Sequence, residues 1–91
     1  MSPDDRPAAG PIARSDVTLQ RVGREAILRD GRNGKTHVIN GTAAQLWELC
    51  DGRPMADLVS DFGAIFGRGP DLVADDVERT LARFQDLGLI A

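Results

Sequence analysis

The stretch HVINGTAAQLWELCDG, residues 37–52, constrains the fold of this chain more than any other part of it. It starts as an extended segment and passes without a linker into an apolar pattern with helical spacing. Thr42 can cap this helix, and Gln45 three residues later completes a capping box, in which each side chain satisfies a free backbone N–H. The apolar stripe of the helix consists of Ala43, Leu46, Trp47 and Cys50. Gly52 is placed to end the helix, so the stretch predicts a strand that turns directly into a helix.

Three short segments ahead of this helix have the pattern of β-strands. Residues 17–22 alternate apolar and polar side chains, and similar short runs follow at about residues 25–29 and 35–39. A turn at Gly23 separates the first two runs. The last two are separated by the cluster at residues 30–34, where Gly and Asn tolerate positive φ at little cost. Together these segments predict a three-stranded antiparallel β-meander.

Two more helices are predicted after the first one, which covers about residues 42–50. The second covers about residues 54–66, with an apolar stripe formed by Met55, Leu58, Val59, Phe62, Ile65 and Phe66. The third covers about residues 70–87, with a stripe formed by Val73, Val77, Leu81, Phe84 and Leu87. Gly88 followed by Leu89 matches a Schellman C-cap. We therefore predict an α+β, winged-helix-like fold, a three-stranded antiparallel β-meander followed by a three-helix bundle.

Residues 1–16 differ from the rest of the chain, since they hold three of its five prolines and have no periodic pattern. We expect a disordered N-terminal arm there and one folded domain over residues 17–91, because 91 residues have room for a single core. No apolar run approaches the roughly 20 residues that span a bilayer, and the N-terminal segment lacks the apolar stretch of a secretory signal. The lone Cys50 excludes an internal disulfide and predicts a reducing, cytoplasmic location.

Few residues of this chain could carry out catalysis. His37 is the only histidine, and the only cysteine, Cys50, lies on an apolar stripe where burial would keep its thiol protonated and inert. One histidine and one cysteine are too few for a structural zinc site. The run GRNGK at residues 31–35 is better explained as a hairpin turn than as a phosphate-binding loop. We therefore expect no enzymatic activity, no metal and no cofactor.

Charge is unevenly distributed along this chain, whose net charge is −3. Residues 17–39 have a local charge of +3, and residues 70–91 have a local charge of −3. A winged-helix regulator that binds DNA needs a basic recognition helix, whereas the third helix is acidic and the second has no basic residue before Arg68. DNA binding is kept as the alternative function. Peptide binding needs only a free strand edge, which accepts another strand through main-chain hydrogen bonds.

Several short motifs of this chain are typical of one known family. They are Ile39-Asn40 with Thr42-Ala43, the run WELCDG at residues 47–52, the apolar residues Leu58, Val59 and Phe62, then Asp76-Val77, Leu81 and Leu87-Gly88-Leu89. Through these motifs, residues 17–91 resemble the PqqD-like family of RiPP recognition elements. Such modules bind the leader of a ribosomal precursor peptide while a partner enzyme modifies the precursor. The resemblance implies a non-catalytic peptide chaperone that has no nucleic-acid or membrane partner.

The resemblance also implies where a leader peptide would bind. In this family the leader adds as an antiparallel strand beside the third strand and packs against the third helix. Carried over by position, the implied peptide-binding residues are Lys35, Thr36, His37, Val38, Ile39, Val73, Val77, Thr80, Leu81 and Phe84. Some of them must face the core, and the pattern leaves open which ones. Because the strands are basic, we expect a leader with acidic residues toward the sheet and an apolar residue such as leucine toward the pocket.

Two branches of the family fit this sequence, and they differ in the partner enzyme. In pyrroloquinoline quinone (PQQ) biosynthesis the module presents its precursor to a radical SAM enzyme. In lasso-peptide biosynthesis it delivers the precursor to a leader peptidase and a cyclase. The run LCDG favours the first branch, whereas Trp47 and the compact hairpin at residues 30–34 favour the second. The chain also lacks the longer Pro-Glu-containing segment that commonly precedes the third strand in the first branch. The sequence leaves the pathway and the oligomeric state open.

Overall fold

The computed structural model describes residues 10–91, which form a small sheet followed by three helices. The strands are β1 (Val17–Val22), β2 (Glu25–Asp30) and β3 (Thr36–Asn40). The helices are α1 (Gly41–Leu49), α2 (Met55–Ile65) and α3 (Pro70–Asp86). The strands neighbour one another in chain order and both pairs are antiparallel. The predicted α+β fold is therefore confirmed, and the winged-helix-like description is compatible with it.

Helix α1 packs against one face of the sheet, where it contacts all three strands. Ala26 and Leu28 of β2 and Ile39 of β3 are buried on this face, and the residues between them along each strand point to the other side. That other side is open to solvent, where the side chain of Val38 is 57% exposed. The alternation predicted for the strands thus separates a core face from a solvent face.

Helices α1 and α3 meet in the core through an aromatic pair. Trp47 of α1 meets Phe84 of α3 edge to face, with ring centroids 5.4 Å apart, and both side chains are buried. Burial of a side chain such as Phe84 stabilises the fold by roughly 1.5–3 kcal/mol. Cys50 lies in the same core, where its thiol donates to the carbonyl of Leu46 at 3.3 Å. Burial raises the pKa of the Cys50 thiol to about 11, so it stays protonated at neutral pH.

The junction between β3 and α1 differs in detail from the prediction. Asn40 ends β3 and is the N-cap of α1, and its side-chain oxygen accepts the backbone N–H of Ala43 at 2.8 Å. The predicted capping box that begins at Thr42 is wrong, because the helix starts at Gly41 and Thr42 already lies in its first turn. An asparagine in extended conformation is among the best N-caps. Gly41 must follow it, since a β-carbon there would lie 2.9 Å from the carbonyl oxygen of Arg24.

Helix α3 has the predicted start at Pro70 and the predicted C-cap. Gly88 follows the helix with a φ of +71°, a conformation that glycine adopts without a steric penalty. The N–H of Gly88 donates to the carbonyl of Gln85, and the N–H of Leu89 donates to the carbonyl of Phe84, each at 2.9 Å. These two bonds confirm the Schellman motif.

Residues 10–16, which the sequence analysis assigns to a disordered arm, are instead held against the domain. The N–H of Ala13 donates to the carbonyl of Cys50 at 2.8 Å, and that of Arg14 donates to the carbonyl of Leu89 at 3.1 Å. The segment therefore bridges the end of α1 and the C-terminal tail. Isolated bridges of this kind produce no periodic pattern, which is why the sequence did not reveal them. The earlier part of the expected arm lies outside the described residues.

Asp30, at the end of β2, is the one buried charged side chain within residues 10–91. The guanidinium of Arg14 donates to its two carboxylate oxygens at 3.1 and 3.2 Å and to the carbonyl of Gly88 at 2.8 Å. The backbone N–H of Arg32 donates to the same carboxylate at 2.9 Å. The hydrogen bond from Arg14, followed by that from Arg32, lowers the pKa of Asp30. This network joins the N-terminal segment, the sheet and the end of α3.

The two edges of the sheet are not equivalent. The outer side of β1 is partly occupied, because the N–H of Val17 donates to the carbonyl of Arg14 at 3.1 Å. The side chain of Arg21 also reaches from β1 to Glu48 of α1 at 3.0 Å. Within the described part of the chain, no strand pairs with the outer side of β3. We call this outer side of β3 the open edge.

The hydrogen-bond register shows which groups of β3 face the open edge. The N–H of Asp30 donates to the carbonyl of Lys35 at 2.8 Å. In an antiparallel pair, hydrogen-bonded and non-hydrogen-bonded positions alternate. His37 therefore occupies the next hydrogen-bonded position against β2. Thr36 and Val38 turn their backbone N–H and C=O groups away from β2 and toward the open edge.

Replacing Asp30 with asparagine tests the Arg14 network. The Asp30 carboxyl has a lower pKa in the folded chain than the 3.8 of the unfolded chain. Its stabilising contribution is therefore complete above the unfolded value and is lost as the pH falls through the folded pKa. Asp30→Asn should be less stable than the natural chain at neutral pH, and its stability should fall less on acidification. Urea unfolding from about pH 7 to pH 2 measures both effects, with Asp75→Asn at an exposed carboxylate as the control.

A second prediction follows from the register of β3. Proline has no N–H, so at Val38 it removes a donor that faces the open edge, whereas at His37 it removes a hydrogen bond to β2. We expect His37→Pro to lower the free energy of unfolding by roughly 1–3 kcal/mol more than Val38→Pro does. Chemical denaturation of the two variants measures the difference. Equal losses would contradict the assigned register.

Candidate functional site

A groove lies between α3 and the junction where β3 passes into α1. Its first cavity has a volume of about 380 Å³ and is lined by Asn40, Thr42, Ala43, Phe62, Asp76, Arg79, Thr80, Arg83 and Phe84. The second cavity has a volume of about 320 Å³ and is lined by Thr42, Phe62, Phe66, Arg68, Val73 and Asp76. The two cavities adjoin because they share three lining residues, Thr42, Phe62 and Asp76. We call the two together the junction groove.

The helical repeat of α3 divides its residues between the core and the groove. Its buried stripe consists of Val73, Val77, Leu81 and Phe84. The residues next to this stripe on one side of the helix line the first cavity: Asp76, Arg79, Thr80 and Arg83. Phe62 of α2 lies between the two cavities and is only 3% exposed. The amphipathic pattern of α3 therefore places its apolar side chains in the core and its polar side chains along the groove, beside the aromatic ring of Phe62.

The structure separates the implied peptide-binding residues into two sets. The buried ones are Ile39, Val73, Val77, Leu81 and Phe84, of which Val73 and Phe84 also line the groove. The exposed or partly exposed ones are Lys35, Thr36, His37, Val38 and Thr80. Thr80 lines the groove, whereas the other four lie on or beside β3 and outside the lining. The open edge and the groove meet at Asn40, which ends β3 and lines the first cavity.

Several groove residues were not among those implied by the sequence. They are Asn40, Thr42, Ala43, Phe62, Phe66, Arg68, Asp76, Arg79 and Arg83. For two of them the sequence does contain a signal. Arg79 and Arg83 are four residues apart and flank Thr80, so a helical projection places all three on neighbouring positions of one face. The remaining residues come from β3, all three helices and the segment between α2 and α3, and only the folded arrangement brings them together.

The charge inside the groove is opposite to the net charge of α3. Arg79 pairs with Asp76 at 3.2 Å, and both side chains are well exposed. An exposed pair of this kind contributes about 0–1 kcal/mol, so it exchanges readily with another carboxylate. Arg83 makes no ion pair within residues 10–91. The other acidic residues of α3 line neither cavity; they are Asp71, Asp75, Glu78 and Asp86.

The groups that line the groove are suited to binding a ligand. It presents guanidinium groups, a threonine hydroxyl and aromatic rings, and β3 adds unpaired backbone groups beside it. His37 is partly buried on β3, and the Cys50 thiol is buried and protonated at neutral pH. Residues 10–91 contain no cluster of three or more His, Cys, Asp or Glu side chains that could hold a metal ion. No helix in this part of the chain is long and apolar enough to cross a membrane.

Two solved structures are similar to this chain in fold. One is TbiB1 in complex with the TbiA(beta) leader peptide, at 16% identity and a TM-score of 0.70, covering 87% of this chain and 93% of that one. The other is lasso peptide synthetase B1 complexed with its leader peptide, at 21% identity and a TM-score of 0.70, covering 91% of this chain and 99% of that one. At these identities the likeness establishes the fold.

The family relationship comes from a sequence comparison. No curated protein sequence matches this chain. The family model described as coenzyme PQQ synthesis protein D (PqqD) matches residues 25–90, which span β2, β3 and all three helices. This match confirms the resemblance seen in the motifs around residues 39–52 and 87–89. The chain belongs to the PqqD family, the family of coenzyme PQQ synthesis protein D.

Proposed function

We propose that this chain is a non-catalytic protein that binds the leader of a ribosomal precursor peptide and presents the precursor to a modifying enzyme. The observation that carries the proposal is the open edge of β3, which is continuous with the junction groove at Asn40. Membership of the PqqD family supports it. The two similar structures support it as well, since both were solved with a leader peptide bound.

A leader segment in extended conformation would add to the sheet as a fourth strand. The backbone groups of Thr36 and Val38 would form its main-chain hydrogen bonds, while alternate side chains would point toward the junction groove. Several such bonds and one or two buried side chains can supply about −8 kcal/mol, which corresponds to micromolar affinity. The sheet would then provide affinity, and the groove would select the sequence.

The partner enzyme depends on the branch of the family to which this chain belongs. One of the similar structures is named a lasso peptide synthetase B1. Together with Trp47 and the compact hairpin, this favours a leader peptidase and a cyclase as the partners. A radical SAM enzyme is the alternative partner. A precursor reading frame beside either type of enzyme gene would identify the branch. The cytoplasmic location stays a prediction that rests on the single cysteine.

DNA binding, the alternative function, has no comparable support in the structure. A helix in the major groove must neutralise phosphates along its exposed face. Helix α2 contains Asp57 and Asp61 and no basic residue. The exposed face of α3 outside the junction groove carries Asp71, Asp75 and Glu78. Both helices would therefore repel the phosphate backbone.

Peptide binding at the open edge can be tested with a proline variant. A displayed library of random peptides about 12 residues long, selected on the full chain, should be enriched in sequences that form an extended strand. Val38→Pro should weaken the best peptide by about tenfold or more, because one or two backbone hydrogen bonds at the edge are lost. Calorimetry measures this affinity.

The control for this test is Val38→Thr, which keeps the N–H and the β-branched shape of the side chain. It should bind the peptide within about threefold of the natural chain, a difference below 1 kcal/mol. Circular dichroism of the proline variant checks that it remains folded. A folded Val38→Pro variant with unchanged affinity would place the peptide elsewhere.

The DNA alternative makes a prediction of its own. In 100 mM salt, the natural chain should retain no particular sequence from a library of DNA duplexes, because α2 and the outer face of α3 are acidic. Any residual binding should be weak and should disappear as the salt concentration rises. Sequence-specific binding with a sub-micromolar dissociation constant would restore the winged-helix regulator as the better proposal.

A further inference from the structure

The side of α3 that faces the groove is basic at one end and apolar at the other, and the proposed function does not explain this difference. Leu72, Asp76, Arg79 and Arg83 recur at spacings of four, three and four residues, so they form one line along the helix. Arg79 and Arg83 line only the first cavity, at the C-terminal end of this line. Leu72 stands at the other end and is 72% exposed. The line therefore runs from a basic end to an apolar end.

The basic end is suited to a carboxylate. Arg83 has no ionic partner within the described residues, and Arg79 is held only by the exposed Asp76 at 3.2 Å. Guanidinium groups bind carboxylates with two parallel hydrogen bonds, which adds geometric selectivity to the attraction. The same cavity is lined by the apolar side chains of Ala43, Phe62 and Phe84, so a bound carboxylate would be partly shielded from water.

The apolar end is suited to a large hydrophobic side chain. The apolar residues that line the second cavity are Phe62, Phe66 and Val73, and its polar lining consists of Thr42, Arg68 and Asp76. Phe66 is 41% exposed although it packs edge to face on Phe62 with centroids 5.0 Å apart. Together with the exposed Leu72, these side chains form an uncovered apolar surface at the end of a groove. Such surfaces on a small protein mark binding sites. Val73 is itself buried, so it supplies the floor and Phe66 the wall.

The distance between the two ends sets the spacing of a matching ligand. The two arginines are centred on residue 81, and Val73, which lines the second cavity, lies eight residues earlier. Eight helical residues span about 12 Å. An extended peptide covers this distance in about four residues, at roughly 3.3 Å each. Residues four apart on a strand point to the same side, so one strand can fill both ends at once.

We propose that the junction groove selects an extended peptide with an acidic residue and a large apolar residue about four positions apart. The acidic side chain binds Arg79 and Arg83, and the apolar side chain fills the cavity between Phe66 and Val73. This inference rests on the proposed function and names the sequence class of its ligand. Acidic residues of the peptide are then bound by two arginines of an acidic helix, whereas the sequence predicted that the basic strands would bind them.

The peptide library selected on the full natural chain supplies the first test. The enriched sequences should share an Asp or Glu and a Leu, Ile, Met or Phe about four residues apart. In calorimetry, Arg83→Glu should then weaken the best peptide by about tenfold or more, as expected for a lost charge-assisted hydrogen bond. A peptide in which the acidic residue is replaced by Lys should recover affinity for Arg83→Glu and lose it for the natural chain.

The matched control is Arg29→Glu, which makes the same substitution at an exposed residue of β2, outside both β3 and the groove lining. It should change the affinity by less than about fivefold and act mainly on the association rate. Equal effects of Arg83→Glu and Arg29→Glu, or no recovery with the Lys peptide, would overturn the arginine contact while peptide binding itself stands. Enrichment of no peptide at all would overturn both proposals. Binding of inorganic phosphate or duplex DNA that is lost in Arg83→Glu would assign the arginines to phosphate.

Discussion

The direct passage from β3 into α1 is the constraint on which the rest of this structure depends. Asn40 is at once the last residue of the strand, the N-cap of the helix and a wall of the junction groove. Because no linker intervenes, the direction of β3 sets the direction of α1 and brings Trp47 over the same face of the sheet as Ile39. Helices α2 and α3 then pack against α1 on that face. The outer side of β3 is left uncovered, next to the groove.

An open strand edge is normally a risk, because it can pair with any other extended chain. In this chain the risk is smaller at β1 than at β3. The N-terminal segment and Arg21 occupy part of the outer side of β1, and the Arg14–Asp30 network holds that segment in place. The remaining edge is the one that borders the groove. Side chains of the groove can therefore select the sequence of a peptide that adds to β3, whereas a peptide that adds to β1 would be bound through its backbone alone.

Periodicity in the sequence was sufficient to locate all six elements, because each of them buries one face. It predicted Thr42 as the helix cap, whereas the structure has Asn40, because both residue types cap well. The close approach of Gly41 to the carbonyl of Arg24 is a long-range contact that no local pattern contains. Residues 10–16 escaped prediction for a similar reason. Their order comes from single hydrogen bonds to distant carbonyls.

The groove was harder to predict than the fold because it consists of residues that share no pattern. The apolar stripe of α3 could be recognised in the sequence, but the stripe faces the core and only borders the site. The net charge summed over the whole helix is negative, so it did not indicate a basic site formed by Arg79 and Arg83. A net charge does not say on which side of a helix each charged residue lies. In the structure the two arginines line the groove, whereas the remaining acidic residues, such as Asp75, do not.

An acidic helix can bind an acidic ligand when its arginines lie nearer to the ligand than its acidic side chains do. Arg79 and Arg83 line the groove, whereas Asp71, Asp75, Glu78 and Asp86 do not. At physiological salt, charges in water are screened over about 8 Å, so a carboxylate in the groove is attracted most by the two guanidinium groups beside it. Asp75 lies one helical turn before Arg79 and reduces this attraction without reversing it. The net charge of a helix therefore does not decide the charge of the ligand that one of its sides binds.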